Sequence, residues 1–349
     1  MYFRKNTELQ KRLNIAMIQQ WISQFTVSFQ VQSFRAASHG QENIVLMLTD
    51  AHQSMYVLKL YSIARSHFTA SYIERIMERE TAFVMFLREK GVPVPALYQT
   101  KDGGFFIKEI QNEHFLFVTL SEYIKGKALF YTLPHMQAMA ALQAKMHKAA
   151  VSFAAENFYK EPDDQYSMLA YRMKQRKPIT AKKFPNALYS QLEYVYREVQ
   201  PELSSFYKKH EKFLIHCDVK FDNVLMNGTR IGALLDFGDV RYSVMHEDLG
   251  ASIFYMCDYF HNRKLEFGRF LSVYLRSYEK ESGRRLSNLD KTIILYYAAD
   301  RFLIWNLFYL AEDQHNEKEI MYQEKMAKKH MRLIEKLFMF FGKELYWQG

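Results

Sequence analysis

A short polar motif between apolar segments in the second half of the chain constrains the fold most strongly. It reads His216-x-Asp218-x4-Asn223, and Asp236-Phe237-Gly238 begins thirteen residues after Asn223. The apolar runs FLI, NVLM and IGALL flank the two parts of the motif. This arrangement predicts short strands joined by loops that present carboxylate and amide side chains in a fixed order.

These side chains suit phosphoryl transfer. That chemistry needs one carboxylate to orient and deprotonate an acceptor hydroxyl, and an amide oxygen and a second carboxylate to hold magnesium on the phosphates. The spacing assigns Asp218 as the catalytic base and Asn223 and Asp236 as the metal ligands. His216 is expected to be a neutral ring that packs under the loop. The alternative is that these residues only cap strands and turns.

The first 124 residues predict a small antiparallel sheet and one helix. Alternating runs between Val27 and Leu60 (TVSFQVQSF, NIVLML and MYVLKLY) indicate a meander. The segment SYIERIMERETAFVMFLREKG has apolar residues at helical spacing and ends at Gly91, a typical helix cap. FFIKEI and HFLFVTLSEYI predict two further strands. The expected order up to Ile124 is strand, strand, helix, strand, strand.

A site of this kind also predicts a lysine on an early strand and a glutamate on the following helix. Lys59 interrupts the apolar strand MYVLKLY, where a charge is costly unless it is paired. Glu80 lies in line with the apolar positions of the predicted helix. We expect Lys59 and Glu80 to pair, and Lys59 to contact the α- and β-phosphates of a nucleotide. Each residue alone would be a surface charge with a partly buried stem.

The chain changes character after Ile124. The polar segment Lys125-Gly126-Lys127 precedes an Ala- and Met-rich helical pattern, and residues from Asn288 onward read as long helices without proline. We therefore expect a nucleotide-binding N-terminal lobe, residues 1–124, and a helical lobe, residues 125–349, with the catalytic loop and the acceptor site. A length of 349 residues agrees with two domains at about 100 to 200 residues each.

Composition and charge exclude several other classes of protein. A hydrophobic share of 49% is too high for a disordered chain. The longest apolar stretch, Phe302 to Ala311, is too short to span a bilayer, which requires about 20 residues. The net charge of +9 is the one feature that suggests nucleic acid, and no interleaved basic and aromatic motif accompanies it. We expect neither a membrane nor a nucleic-acid partner.

The N-terminus and the cysteines indicate the compartment. Charges between Arg4 and Arg12 interrupt the segment where a signal peptide needs an unbroken apolar core. The two cysteines, Cys217 and Cys257, form neither a disulfide framework nor a zinc-ligand cluster and are expected to be free thiols. Both features predict a cytoplasmic protein.

Taken together, these motifs resemble those of the aminoglycoside phosphotransferase superfamily over nearly the whole chain. The matching features are Lys59, Glu80, the PVP of Val92 to Pro95, the hinge before Gly126, HCDVKFDN, LLDFGD (Leu234 to Asp239) and HEDLG (His246 to Gly250). The resemblance implies an α+β, two-lobed protein-kinase-like fold: a small antiparallel β-sheet and one helix in the N-lobe, and a mostly helical C-lobe. It also implies transfer of the γ-phosphate of ATP, or of GTP, to a hydroxyl of a small molecule with Mg²⁺.

The resemblance places further nucleotide contacts. Backbone groups of Glu122 and Ile124, in the hinge, are expected to bind the purine edge. Lys220, a feature more typical of serine/threonine protein kinases, is expected to support the transferring phosphate and leaves a protein substrate open. The loop around Ser38 to Gln41 contains only Gly40 and departs from the GxGxxG pattern. Most relatives have glycine at the position of Cys217.

Two alternatives concern the acceptor and the activity. Only eight residues separate Gly238 from Glu247, which leaves no room for the activation segment of a protein kinase and favours a small-molecule acceptor. Acidic residues suggest a cationic aminoglycoside or amino-alcohol, although Asp248 could instead cap a helix and brace the catalytic loop. These residues are Asp236, Asp239, Glu247, Asp248, Asp258, Asp300, Glu312 and Asp313. The other open function is a kinase-like regulatory protein without catalysis.

Overall fold

The computed structural model describes residues 7–37, 43–65, 69–111, 114–154, 186–260 and 264–310, and single positions between 321 and 339. The chain forms two compact units, residues 1–127 with 232–235 and residues 128–231 with 236–349. The predicted lobe boundary after Ile124 stays a prediction. The loop at Ser38 to Gln41, Glu312 and Asp313 lie outside the described residues.

The first unit is built on a five-stranded antiparallel sheet of order β1-β2-β3-β5-β4. Its elements are α1 (Thr7–Arg12), α2 (Ile15–Ile22), β1 (Val31–Ala36), β2 (Ile44–Asp50), β3 (Met55–Ala64), α3 (Ala70–Glu89), β4 (Ile107–Gln111) and β5 (His114–Glu122). The sheet and the α3 helix confirm the predicted fold of this region. The expected order was wrong in one respect, because three strands precede α3: each of the three alternating runs forms its own strand.

Local sequence explains where these elements form. β2 alternates between buried and half-buried residues, as a strand with one face on the core does. Thr69 caps α3 by accepting a hydrogen bond from the Tyr72 amide, and Gly91, with φ of 72°, follows its C-terminal end. The N-terminal helix α2 had no sequence prediction, yet Trp21 and Ile18 of this helix are buried in the core beside β2 and β3.

The remaining elements are mainly helices, which confirms the predicted α+β class. They are β6 (Lys127–Ala128), α4 (Leu133–Ala150), α5 (Asn186–Lys209), β7 (Phe213–Ile215), β8 (Val224–Asn227), β9 (Arg230–Leu234), a 3₁₀ turn (Phe237–Asp239), β10 (Arg241–Ser243), α6 (Met245–Tyr259), α7 (Lys264–Ser282) and α8 (Asn288–Leu310). β10 pairs with β7, and the other short strands form a sheet of order β6-β8-β9. In the described parts of the chain, no helix is both long and apolar enough to cross a membrane.

Two helices of the second unit approach each other closely at Gly250. A Cβ atom at this position would lie 2.6 Å from Tyr297 Cβ and 2.8 Å from the Ile294 carbonyl oxygen. Only glycine allows α6 and α8 to pack at this distance. The two helices also carry side chains that contact the catalytic loop, so their separation affects the geometry described next.

Candidate active site

The His-x-Asp-x4-Asn motif forms a loop between β7 and β8 that closes on itself. Asp218 follows β7, and Asn223 directly precedes β8; both side chains are buried. The Asn223 side-chain amide donates hydrogen bonds to Asp218 Oδ2 at 2.7 Å and to the Asp218 carbonyl oxygen at 2.9 Å. The four-residue spacing therefore lets one side chain fix both the backbone and the carboxylate of Asp218.

Charged and hydroxyl groups surround the Asp218 carboxylate. Lys220 Nζ lies 2.9 Å from Oδ2, the Tyr255 hydroxyl donates to Oδ1, and Arg301 Nη2 lies 3.6 Å from Oδ1. Burial raises the pKa of Asp218 above its ordinary range, while Lys220 and Arg301 oppose that rise. Asp239 adds to the rise. A buried carboxylate with a raised pKa is suited to accept a proton from a hydroxyl.

The backbone of the loop is held by a buried chain of hydrogen bonds. Cys217 has a φ of 62°, in the left-handed region that favours glycine, and its amide donates to Asp248 Oδ1 at 2.5 Å. His147 Nε2 lies 2.8 Å from Asp248 Oδ2, and the other ring nitrogen lies 2.8 Å from the Tyr278 hydroxyl. Asp248 thus braces the catalytic loop, the alternative considered for it from the sequence.

The ionisation states of this brace are consistent with a structural role. Although burial opposes it, the hydrogen bond from His147 lowers the pKa of Asp248, which therefore remains charged. Burial raises the pKa of the Cys217 thiol well above its ordinary value. A thiol that stays protonated is a poor nucleophile, so Cys217 is inert at neutral pH.

His216 packs against the second part of the motif. The His216 ring lies 4.6 Å, centroid to centroid, from the Phe237 ring, and its Nδ1 accepts a hydrogen bond from the Asp218 amide at 3.2 Å. Nδ1 is therefore unprotonated, which fits the predicted role as a brace under the loop.

The predicted metal ligands present oxygen atoms. The side-chain nitrogen of Asn223 donates its hydrogen bonds to Asp218. The side-chain oxygen of Asn223 is therefore the atom that can bind a cation. Asp236 follows β9 with a φ of 62° and begins the turn at Phe237–Asp239. Within the described residues, no group of three or more His, Cys, Asp or Glu side chains could enclose a metal. Two oxygen donors fit Mg²⁺, which binds few protein ligands and completes its shell with phosphates and water.

Three of the acidic residues suggested for a cationic acceptor are already paired with an arginine or a lysine. Asp239 Oδ2 lies 3.0 Å from Arg301, Glu247 Oε1 lies 3.0 Å from Arg241, and Asp258 lies 2.7 Å from Lys329. Although burial opposes it, Arg301 and Arg241 lower the pKa of Asp239. Each of these carboxyl groups therefore already has a cationic partner within the protein.

Asp300 differs from the other acids of this region. It is 3% exposed and accepts a hydrogen bond from the Gln200 side-chain amide. Burial, with the nearby charge of Glu247, raises the pKa of Asp300 to about 8. At neutral pH this carboxyl group is therefore mostly protonated and offers no charge to a cation.

Two residues that touch Asp218 had no prediction from the sequence. Tyr255 lies on α6, 37 residues after Asp218 in the sequence. Arg301 lies on α8, a further 46 residues after Tyr255. The run YYAADRFLIWNLFYL did contain a signal, because a charged residue inside a strongly apolar helix requires a partner. The sequence does not identify that partner.

Lys59 and Glu80, which are predicted to lie at the nucleotide site, both contact Tyr61 in the first unit. Lys59 Nζ lies 4.6 Å from the centroid of the Tyr61 ring, and the Tyr61 hydroxyl donates to Glu80 Oε1 at 2.7 Å. Glu80 is buried on the apolar face of α3, beside Met77 and Val84. The direct pairing of Lys59 with Glu80 stays a prediction.

The hinge residue Glu122 has structural contacts of its own. Its carboxylate accepts hydrogen bonds from Arg88 Nη1 and from the Ala96 amide, both at 2.7 Å. The Glu122 amide donates to the Ala96 carbonyl oxygen at 3.0 Å. A purine contact at Glu122 therefore has to use its carbonyl group, and the contact expected at Ile124 stays a prediction.

Comparison with known proteins identifies relatives. A model of the APH family, described as the phosphotransferase enzyme family, matches residues 33–287. This match confirms the resemblance found in the sequence. No curated protein matches the chain in a sequence search.

Several solved structures share the fold. An amicoumacin kinase in complex with AMP-PNP, Ca²⁺ and Ami is 18% identical, with a TM-score of 0.69 over 94% of this chain and 96% of that chain. A microcompartment-associated aminopropanol kinase is 17% identical, with a TM-score of 0.74 over 95% of this chain and 100% of that chain. An aminoglycoside phosphotransferase from Alicyclobacillus acidocaldarius is 14% identical, with a TM-score of 0.65 over 93% and 94%. At these identities the likeness establishes a kinase-like fold.

Proposed function

The chain belongs to the phosphotransferase enzyme family, and from that premise we propose that it transfers the γ-phosphate of ATP, bound with Mg²⁺, to a hydroxyl group of a small molecule. The observation that carries the proposal is the buried Asp218 carboxylate. Asn223 and Lys220 hold its Oδ2 atom, and the Tyr255 hydroxyl donates to Oδ1. A carboxylate fixed in this way can receive the proton of an acceptor hydroxyl.

Each residue has a distinct task in this mechanism. Asp218 orients the acceptor hydroxyl and takes up its proton, which is worth about 10² to 10⁴ in rate. Although burial opposes it, Asp218 raises the pKa of Lys220, so this lysine stays cationic near the base. Lys59 would contact the α- and β-phosphates. The Asn223 amide oxygen and the Asp236 carboxylate would hold Mg²⁺, which neutralises charge on the transferring phosphate when it is bound.

A small-molecule acceptor is supported by the segment after Gly238. Residues Arg241–Ser243 form β10 and pair with β7, and α6 begins at Met245. This short connection has no extended segment on which a peptide could lie. A protein acceptor, the alternative that Lys220 left open, is therefore disfavoured.

For the acceptor class we propose an amino-alcohol or an aminoglycoside, and for the nucleotide ATP, with GTP as the alternative. The support is that the similar structures include kinases named for aminopropanol and amicoumacin, and an aminoglycoside phosphotransferase. The internal pairing of Asp239, Glu247 and Asp258 means that a substrate ammonium group would compete with an arginine or a lysine at each of these carboxylates.

The test is phosphate transfer by the purified protein with Mg²⁺ and ATP or GTP. The acceptors are kanamycin, 1-amino-2-propanol, homoserine and a generic protein substrate. We expect transfer to a small molecule, and Asp218→Asn should lower kcat by about 10² to 10⁴ while MgATP still binds. Asp222→Asn is the matched control, because Asp222 is a more exposed carboxylate of the same loop, 4.0 Å from Lys220.

Each outcome has a definite meaning. Transfer to the protein substrate alone would overturn the small-molecule proposal. Nucleotide binding without transfer to any acceptor would favour the regulatory function over catalysis. Unchanged turnover in Asp218→Asn would remove Asp218 from the mechanism.

A further inference from the structure

A buried arginine outside every predicted motif connects the groups around Asp218. Arg301 on α8 is 9% exposed. Its Nη2 atom lies 3.0 Å from Asp239 Oδ2, 3.1 Å from the Tyr255 hydroxyl oxygen and 3.6 Å from Asp218 Oδ1. Its Nη1 atom lies 3.8 Å from Cys217 Sγ. One side chain thus reaches the catalytic loop, α6 and the turn after β9.

The hydrogen bonds from Arg301 have a fixed direction. A guanidinium group carries donors and no acceptor, so the Tyr255 oxygen must accept from Arg301. The Tyr255 hydroxyl then directs its own proton to Asp218 Oδ1. Arg301 and Tyr255 therefore form a chain of two hydrogen bonds that ends on one oxygen of the Asp218 carboxylate.

The two oxygens of Asp218 are held from different parts of the fold. Oδ2 contacts Lys220 and Asn223, which belong to the same loop. Oδ1 contacts Tyr255 and Arg301, which belong to α6 and α8. The rotation of an aspartate carboxylate about χ2 is otherwise broad, so two-sided contact fixes its plane.

Asp239 compensates the positive charge of the buried Arg301 side chain. A buried charge without a partner is strongly destabilising, and a guanidinium needs a carboxylate in good geometry. Asp239 provides one at 3.0 Å. Lys220 and Arg301 thus place two positive charges beside the carboxyl groups of Asp218 and Asp239.

We propose that Arg301 is a positioning residue for phosphoryl transfer, which acts through the Tyr255 hydroxyl to hold the Asp218 carboxylate in the orientation that receives the acceptor proton. The inference rests on the proposed function. Arg301 touches neither nucleotide nor acceptor in this role, so its loss should affect turnover and not nucleotide binding.

The test is a double-mutant cycle with Arg301→Lys and Tyr255→Phe, assayed with MgATP and the panel acceptor that the wild-type protein phosphorylates. Each single variant should lower kcat by about 10- to 100-fold, because small displacements of a catalytic group cost this much. The KM for MgATP should stay close to that of the wild type. In the Tyr255→Phe background, Arg301→Lys should cost only about twofold, since residues that act as a unit are non-additive. Arg276→Lys, an exposed arginine on α7, is the matched control and should keep full kcat.

The following results would overturn the inference. Wild-type kcat in Arg301→Lys, or losses in kcat that multiply fully in the double variant, would show that Arg301 does not act through Tyr255. A parallel loss of MgATP affinity would indicate a general structural role. If the Arg301 variants do not fold by circular dichroism, unchanged kcat in Tyr255→Phe alone contradicts the proposal. Absence of transfer by the wild-type protein would instead refute the proposed function itself.

Discussion

Asp218 and Asp300 are both buried carboxyl groups whose pKa is raised by burial, but different neighbours modify that rise. Asp218 has Lys220 and Arg301 within 3.6 Å, and these cations oppose the effect of burial on its pKa. Asp300 accepts a hydrogen bond from the Gln200 amide, and the nearby Glu247 charge adds to the effect of burial on its pKa, while Arg241 and Arg301 oppose it. Residue type and burial alone therefore do not determine the pKa of an aspartate of this region.

The pH dependence of stability tests the state of Asp300. Its pKa of about 8 in the folded protein lies above the value of about 3.9 expected in the unfolded chain. Folding therefore opposes its ionisation, and the contribution of Asp300 to the free energy of unfolding should fall as the pH rises from about 4 to about 8, by on the order of 1 kcal/mol per pH unit. In Asp300→Asn, the side-chain amide oxygen can still accept the hydrogen bond from Gln200. The variant has no carboxyl group to ionise, so this pH-dependent loss of stability should disappear.

Urea unfolding at pH 5, 7 and 9 measures the effect. The stability difference between Asp300→Asn and the wild type should increase in favour of the variant up to about pH 8 and then level off. Asp222→Asn, the same substitution at a more exposed acid, is the matched control. A difference independent of pH would mean that Asp300 is charged in the folded protein.

At the scale of elements, the α6–α8 contact at Gly250 sets the distance between the helices that carry Tyr255 and Arg301. A methyl group at Gly250 would meet Tyr297 Cβ at 2.6 Å and backbone atoms of Ile294 and Ala298 at 2.8 and 2.9 Å. Backbone atoms cannot move aside as a flexible side chain can. The helices themselves would have to separate.

Gly250→Ala should therefore lower the free energy of unfolding by about 1 to 3 kcal/mol, although alanine favours helices intrinsically. It should also lower kcat, because Arg301 moves with α8. Urea unfolding and the transfer assay measure the two effects. Gly228→Ala is the control: its Cβ meets nothing within 4 Å, so only the strain of a φ of 62°, about 1 to 2 kcal/mol, applies. Wild-type stability in Gly250→Ala would contradict the close packing.

The elements differ in how well the sequence predicted them. The alternation of β2 and the long apolar face of α3 are strong local patterns, and both elements were found. The helices α1 and α2 were missed because they have six and eight residues, too few for a clear helical period. Burial of Trp21 and Ile18 in the core stabilises α2, and that contact is not a local property of its sequence.

At the scale of the whole molecule, the candidate nucleotide residues are divided between the two compact units. Lys59 and Glu80 belong to the first unit, and Asp218, Asn223 and Asp236 belong to the second. The proposed function assigns the contact with the nucleotide phosphates to Lys59. This residue of the first unit should therefore be necessary for nucleotide binding, and binding should raise the free energy of unfolding.

Thermal denaturation with Mg²⁺ and the ATP analogue AMP-PNP tests this expectation. At a ligand concentration of 100 times Kd, binding should raise the free energy of unfolding by about 2.7 kcal/mol. Lys59→Met should lose most of this gain, because the lysine would contact the phosphates. Lys101→Met, an exposed lysine of the same unit, is the control and should keep it. Equal stabilisation of Lys59→Met and the wild type would remove Lys59 from the nucleotide site.

The sequence alone predicted the fold class, the family and which residues form the catalytic loop. Asn223 reaches Asp218, and His216 packs beside Phe237, because spacing within and around one loop leaves few alternatives. Only the tertiary structure decided which distant groups complete the site. Arg301 and Tyr255 reach Asp218 from α8 and α6, and Asp248 is recruited to brace Cys217, because helix packing brings together residues that no local spacing relates.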